Sequence, residues 1–177
     1  MNTPMQIPRP PLAQLEARAQ WITLLAISVA LHVFEAALPN LGPWFKPGLA
    51  NIVVLIALAQ MGPKAAVTLA IGRVVIGSFM IGTLATPTFV MSFSGAIAAT
   101  AVMLVAWRLI PGISLVGISL LAAIAHMTAQ FAVAETLFIQ QAVLYYLLPP
   151  MLLLSCTTGW LNGVLAAWLV PRLKGWL

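Results

Sequence analysis

Long apolar runs, separated by proline, glycine and single charges, occupy almost the whole chain. Runs of this kind are typical of bilayer-spanning helices, which need about 20 apolar residues each. The pattern therefore predicts an all-α, polytopic membrane helix bundle of about six helices, with five or seven left as alternatives. We place the segments at about 20–38, 48–62, 64–81, 88–109, 114–138 and 142–170.

Prolines modify two of these segments. The second is short and lies between Pro47 and Pro63, so a partial or tilted crossing is open to it. Pro149 and Pro150 should either kink the sixth or leave its first turns as a separate outer helix.

The ends of the chain divide it into three parts. We expect residues 1–19 to be an N-terminal tail, irregular at its proline-containing start, with 12–19 as a possible interfacial helix. Residues 20–171 form the membrane domain, and 172–177 are a short C-terminal tail. No cleavable signal is expected, because the first apolar run starts near Gln20 and is long enough to remain in the membrane.

The basic residues predict the orientation. With six crossings, six of the eight fall on one side of the membrane: Arg9, Arg18, Lys64, Arg108, Arg172 and Lys174. Positively charged loops remain cytoplasmic, so both termini should face the cytoplasm of a multi-pass cell-membrane (inner-membrane) protein.

Composition excludes several classes of function. The chain is 62% hydrophobic and 6% charged, and its basic residues are scattered, which argues against a nucleic-acid partner. It contains no aspartate, and its only acids are Glu16, Glu35 and Glu135, so it lacks an Asp-rich magnesium motif. One cysteine and two distant histidines make no zinc site, and there is no GxxxxGK[ST] motif for ATP. We therefore expect a protein with no metal, no cofactor and no enzymatic activity of its own.

Polar residues collect in the outer halves of the predicted segments. An outward-facing pocket for a small-molecule or lipid-like ligand would use six of them: Glu35, Lys46, Asn51, Arg73, His126 and Gln130. Arg73 is the sharpest candidate, since a cation in a membrane helix normally faces a partner or a water-filled cavity. It could pair with Glu35 or Glu135 to lock two helices together, contact an anionic or polar ligand, or extend towards the interface. A loop containing Thr83 to Thr88 could act as a lid over such a pocket.

Small residues recur at a spacing of four. Ala26 and Ala30 form an AxxxA in the first segment, and Gly159 and Gly163 form a GxxxG in the sixth. Such spacing permits close approach of helix backbones. Chance occurrence in an alanine-rich chain remains an alternative for Ala26 and Ala30.

The order of these features resembles a known family. A segment from Lys46 to Asn51 (KPGLAN) follows a helix that carries Glu35, and an arginine-containing third helix precedes a GTLATPTF loop at 82–89. A fifth helix then carries AHMTAQ at 125–130. Over roughly residues 22–170 the chain resembles the Gx transporter family, also labelled heptaprenyl diphosphate synthase component I.

That family is similar to the S components of energy-coupling factor transporters. The resemblance implies a six-helix membrane protein that binds a vitamin-like or related small solute from outside. It also implies a transmembrane coupling subunit that contacts Ala26 and Ala30, together with separate ATPases. The alternatives are a noncatalytic membrane subunit of an isoprenoid or quinone enzyme and a structural subunit of a membrane redox complex.

Overall fold

The structure is a computed structural model that describes residues 11–38 and 48–174, without the side chains of residues 142 and 143. These residues form six α-helices: α1 (Leu12–Ala37), α2 (Ala50–Met61), α3 (Pro63–Met80), α4 (Pro87–Leu109), α5 (Leu115–Val133) and α6 (Leu148–Arg172). A π-helical turn at Ala134–Ile139 extends α5, and a 3₁₀ helix at Ala142–Leu147 precedes α6.

Five of the helical segments are long and apolar enough to cross a membrane: those built on α1, α3, α4, α5 and α6. The remaining helix, α2, is apolar but has 12 residues. At about 1.5 Å per residue it reaches roughly 18 Å, well short of the ~30 Å hydrocarbon layer. The predicted all-α membrane bundle is therefore confirmed, with α2 as a short internal helix.

Helix α2 is buried on all sides. It packs against α1, α3 and α6, and the run from Val53 to Leu58 is buried without interruption. A helix that is apolar around its whole circumference belongs in a protein interior. The other helices close around it, because α6 packs on α5, α5 on α4 and α4 on α3, while α1 lies against α2 and α3.

The GxxxG pair of α6 is an internal contact with α5. A Cβ added at Gly159 would lie 2.7 Å from the Cβ of Ala123, and one added at Gly163 would lie 2.6 Å from the Cα of Val116. Only glycine permits this approach, so the spacing seen in the sequence serves packing within the chain.

Helix boundaries lie close to the predicted ones, with two informative differences. The first helix begins at Leu12, so residues 12–19 continue into α1 without a break. At the other end of the chain, α6 begins at Leu148 with proline in its first turn, and the preceding 3₁₀ helix is separate from it. Proline suits a first helical turn because its missing N–H would have no intrahelical acceptor there.

The described basic residues of the tails and loops lie at one end of the bundle. Arg18 is near the start of α1, Lys64 starts α3, and Arg108 and Arg172 are in the last turns of α4 and α6. The bond from Gln60 Nε2 to the carbonyl oxygen of Val170, at 2.9 Å, ties the ends of α2 and α6 together there. We refer to this as the basic end of the bundle.

Candidate binding cavity

A polar cavity lies towards the opposite end of the bundle. Its empty space is about 620 Å³, including the part continuous with solvent. All six helices contribute to its wall, whose polar members are His32, Glu35, Asn51, Arg73, Ser92, His126, Gln130, Ser155, Thr158 and Asn162. The main apolar core, which includes Leu55, Leu69 and Ile118, lies closer to the basic end. A second apolar cluster of Met91, Phe131, Ala134 and Leu144 lies around the ends of α4 and α5 that are farther from the basic end.

The first turn of α2 is held by side chains from two other helices. Glu35, at 3% exposure, accepts a hydrogen bond through Oε1 from the backbone N–H of Leu49. Asn162 donates from Nδ2 to the carbonyl oxygen of Gly48 at 3.1 Å. Gly48 has a φ of +73°, a conformation that favours glycine. These contacts bind the start of α2 to α1 and α6, and the carboxylate caps a helix N-terminus where negative charge is favourable.

Arg73 joins α3 to the same turn. Its Nη2 donates to Oδ1 of Asn51 at 2.5 Å, and the Glu35 carboxylate acts electrostatically on the guanidinium. Arg73 is only 4% exposed, and its Nε has no hydrogen-bond partner among the described residues. An unsatisfied buried donor costs about 1–3 kcal/mol, and more when it is charged. The site therefore contains a strong donor whose hydrogen-bonding capacity the described protein atoms leave partly unused.

On the α4–α5 side of the cavity, a glycine lies directly against two polar side chains. A Cβ added at Gly95 of α4 would lie 2.8 Å from Cε1 of His126 and 2.9 Å from Cγ of Gln130. The absence of a side chain at Gly95 thus makes room for both polar residues of α5. Gln130 is 5% exposed and lines the cavity, so a buried amide is presented next to the imidazole. A similar contact occurs at the α1–α3 interface, where a Cβ on Gly77 would lie 2.5 Å from Cδ2 of His32.

The structure brings together five of the six site residues predicted from the sequence: Glu35, Asn51, Arg73, His126 and Gln130. Lys46 lies outside the described residues. Arg73 faces Asn51 and Glu35, whereas Glu135 lies in the π-helical turn after α5 and is not part of the cavity wall.

Sequence reasoning missed the contribution of α6. Ser155, Thr158 and Asn162 all line the cavity, and Asn162 is buried. Polar residues spaced by three and four positions in an apolar helix share one face, and that spacing was the available signal. Ser155 donates to the carbonyl oxygen of Ala123 at 2.8 Å, so it also ties α6 to α5.

The loop from Thr83 to Thr88 makes local contacts. Thr86 caps α4, since its Oγ1 accepts from the N–H of Phe89 and also donates to the carbonyl oxygen of Thr83 at 2.6 Å. Thr83 in turn contacts the carbonyl oxygen of Ser78 at 3.5 Å. None of these threonines belongs to the described cavity wall.

Ala26 and Ala30 lie on the outward face of α1. Both are exposed, as are the neighbouring apolar residues Ile27 and Phe34, the latter at 53%. The face that carries the AxxxA spacing is therefore free of other helices within the described bundle.

The cavity suits reversible binding of a polar molecule. It offers a cation, an anion, two imidazoles, amides and hydroxyls within one enclosure. The described residues contain no group of three or more His, Cys, Asp or Glu side chains placed to hold a metal ion. The lining residues can bind a molecule through hydrogen bonds and through charge complementarity.

Comparison with known proteins gives a family for this architecture. No curated protein matches the chain, and no solved structure matches it. The family described as heptaprenyl diphosphate synthase component I matches residues 24–169, a span that contains every described residue of the cavity wall. The chain belongs to the heptaprenyl diphosphate synthase component I family.

Proposed function

We propose that this protein is a membrane substrate-binding subunit, similar to the S components of energy-coupling factor transporters, for uptake of a small vitamin-like or related solute. The observation that carries the proposal is the polar cavity to which all six helices contribute. Polar groups inside a membrane bundle are costly to maintain and usually mark a ligand or ion site.

The lining supports a small polar solute. Ligand sites in proteins use a small number of placed polar groups to fix the orientation of the ligand. The lining includes Arg73 and Glu35 with several amides and hydroxyls. Such groups orient a polar ligand through hydrogen bonds.

Transport by this route would need other subunits. The chain has no GxxxxGK[ST] motif, so ATP hydrolysis would belong to separate ATPases. The exposed face around Ala26 and Ala30 is the proposed contact for a transmembrane coupling subunit, because small residues let a partner helix approach closely. Ligand binding would favour the conformation to which that partner responds, by differential affinity for two states.

Orientation of the chain fits uptake. With the basic end in the cytoplasm, both termini are cytoplasmic and the cavity lies nearer the outer face of the cell membrane. Solute would then reach the cavity from outside.

The alternative is a noncatalytic membrane subunit of an isoprenoid or quinone enzyme or of a membrane redox complex, and the family description favours the isoprenoid version. The chain contains no aspartate, so the paired Asp-rich magnesium motifs of prenyl diphosphate synthases are absent from it. We propose that the protein has no enzymatic activity in either role, and that any synthase activity would belong to a partner.

Purification in mild detergent tests the proposal. Mass spectrometry of the wild type should identify a bound small solute, with a coupling subunit and ATPases among the co-purifying proteins. An Arg73→Ala, Asn51→Ala double variant should lose the solute, while the control Arg108→Ala, at the basic end, should retain it. Recovery of a soluble prenyl synthase with a bound prenyl lipid would instead establish the alternative.

A further inference from the structure

We infer that Arg73 binds a carboxylate or carbonyl acceptor of the solute, and that the neighbouring Glu35 disfavours a multiply anionic group at that position. This inference rests on the proposed binding function and names the chemical class of its ligand.

The first observation is the state of the Arg73 side chain. It lines the cavity at 4% exposure. Its Nη2 donates one hydrogen bond to Oδ1 of Asn51, while its Nε has no hydrogen-bond partner among the described residues. A guanidinium presents its N–H groups in a rigid planar fork that fits the oxygens of a carboxylate or a carbonyl. An acceptor at this point would satisfy a donor that burial otherwise leaves without a bond.

The second observation is the charge balance of the wall. Among the described lining residues, Arg73 is the one permanent cation and Glu35 is the one carboxylate. Glu35, which accepts from the N–H of Leu49, acts electrostatically on Arg73. The two charges offset each other, so the described wall carries no net charge apart from its two histidines.

This balance discriminates between ligand classes. A neutral or monoanionic solute can accept from Arg73 without placing excess negative charge next to Glu35. A phosphate or diphosphate carries about two or more negative charges at neutral pH, and burying them near a carboxylate is unfavourable. The Arg73–Glu35 pair therefore favours an acceptor with at most one negative charge at this position and disfavours a phosphate or diphosphate there.

The opposite wall supplies neutral hydrogen-bonding groups. Gln130 and His126 lie over Gly95, and Asn162 and Ser155 come from α6. Amides and hydroxyls both donate and accept, so they can orient the polar remainder of a solute without changing the charge balance.

A fractionated extract provides the test. Small molecules below 1 kDa from the expressing cells are separated by anion exchange into a neutral-plus-monoanionic fraction and a multiply anionic fraction. Each is incubated with the detergent-purified full chain, and retained molecules are identified by mass spectrometry. We expect retention from the first fraction, of molecules bearing a carboxylate or carbonyl. Arg73→Gln should reduce it by about tenfold or more, because a hydrogen bond to a charged group is lost. The control Arg108→Gln should leave it unchanged.

A second variant separates charge selection from folding defects. Glu35→Gln keeps an oxygen that can accept from Leu49 but removes the negative charge. It should increase retention from the multiply anionic fraction relative to the wild type, and relative to Glu16→Gln, which removes the same charge from the start of α1. Preferential retention of phosphates by the wild type, or no change in Glu35→Gln, would overturn the inference while leaving the binding function intact. No retention from either fraction would overturn the binding function, and the inference with it.

Discussion

Arg73 of α3 donates to Asn51 in the first turn of α2 across 2.5 Å, within a site where both side chains line the cavity. The contact couples the position of a buried cation to the start of the most buried helix in the bundle. Glu35 and Asn162 hold the preceding residues of the same turn. The same few hydrogen bonds therefore hold the start of α2 and shape the cavity wall.

Asn51→Ala should destabilise the protein by about 2–3 kcal/mol, because it removes the acceptor of a buried charged donor. The measurement is unfolding of the purified protein in detergent, followed by circular dichroism. Thr128→Ala is the matched control, since that exposed hydroxyl bonds only to the carbonyl oxygen of Ile124 in its own helix. Equal stability of the two variants would contradict the assigned role of the Arg73–Asn51 bond.

Glu35 should be replaceable by glutamine at a smaller cost in stability than by alanine. Glu35→Ala leaves the N–H of Leu49 without its side-chain acceptor, a loss of about 1–2 kcal/mol by analogy with removal of a helix cap. Glu35→Gln retains an acceptor oxygen and should lose less. The free energies of unfolding of both variants, measured together, provide the comparison, and a larger loss for glutamine would refute the capping contact.

Gly95→Ala should displace His126 and Gln130 and so weaken solute retention as well as stability. The new Cβ would lie under 3.0 Å from both side chains, and overpacking of this kind costs about 1–3 kcal/mol. Gly72→Ala is the control, because its Cβ would meet only the flexible end of Leu25, at 3.2 Å. Thermal stability and bound-solute content should both fall in the first variant, with much smaller changes in the second.

Gly163→Ala should destabilise the α5–α6 interface, since its Cβ would lie 2.6 Å from a backbone atom of Val116. Backbone has little freedom to move aside, so we expect a loss of about 2–3 kcal/mol or a failure to accumulate in the membrane. Gly117→Ala, which would meet the Ile113 side chain at 3.2 Å, is the comparison. A stable Gly163→Ala protein with altered oligomeric state would instead assign this glycine to an intermolecular contact.

Cysteine labelling checks the orientation. In a Cys156→Ser background, Thr88→Cys at the start of α4 should react with a membrane-impermeant maleimide on intact cells. Lys64→Cys, at the start of α3 and at the basic end, should react only after the membrane is permeabilised. Both parent side chains are exposed, so access is determined by the side of the membrane. The reverse labelling pattern would invert the proposed topology.

The sequence predicted the helices well because proline, glycine and charge mark their ends. Pro63 and Pro87 lie in first helical turns, and Pro149 and Pro150 lie in the first turn of α6, directly after the 3₁₀ helix. Five of the six proposed site residues line the cavity because polar residues in apolar helices turn inward.

Other features depended on helix rotation and on distant contacts. The spacing of Ser155, Thr158 and Asn162 predicts one polar face on α6, but only the packing of α6 against α2 and α5 shows that this face lines the cavity. The role of Gly95 depends on His126 and Gln130, more than 30 positions away in the chain. Similarly, the GxxxG spacing of α6 did not reveal that its partner was α5.

The short length of α2 has a mechanical consequence. Its first turn is bonded to α1, α3 and α6 through Leu49, Asn51 and Gly48, and its last turns approach the end of α6. A shift of α2 along its axis would stretch the hydrogen bonds of Leu49, Asn51 and Gly48 together. It would also change the shape of the cavity. The position of this one helix therefore sets the shape of the cavity. Under the proposed binding function, a partner that moved α2 from the basic end would change solute affinity without touching the solute.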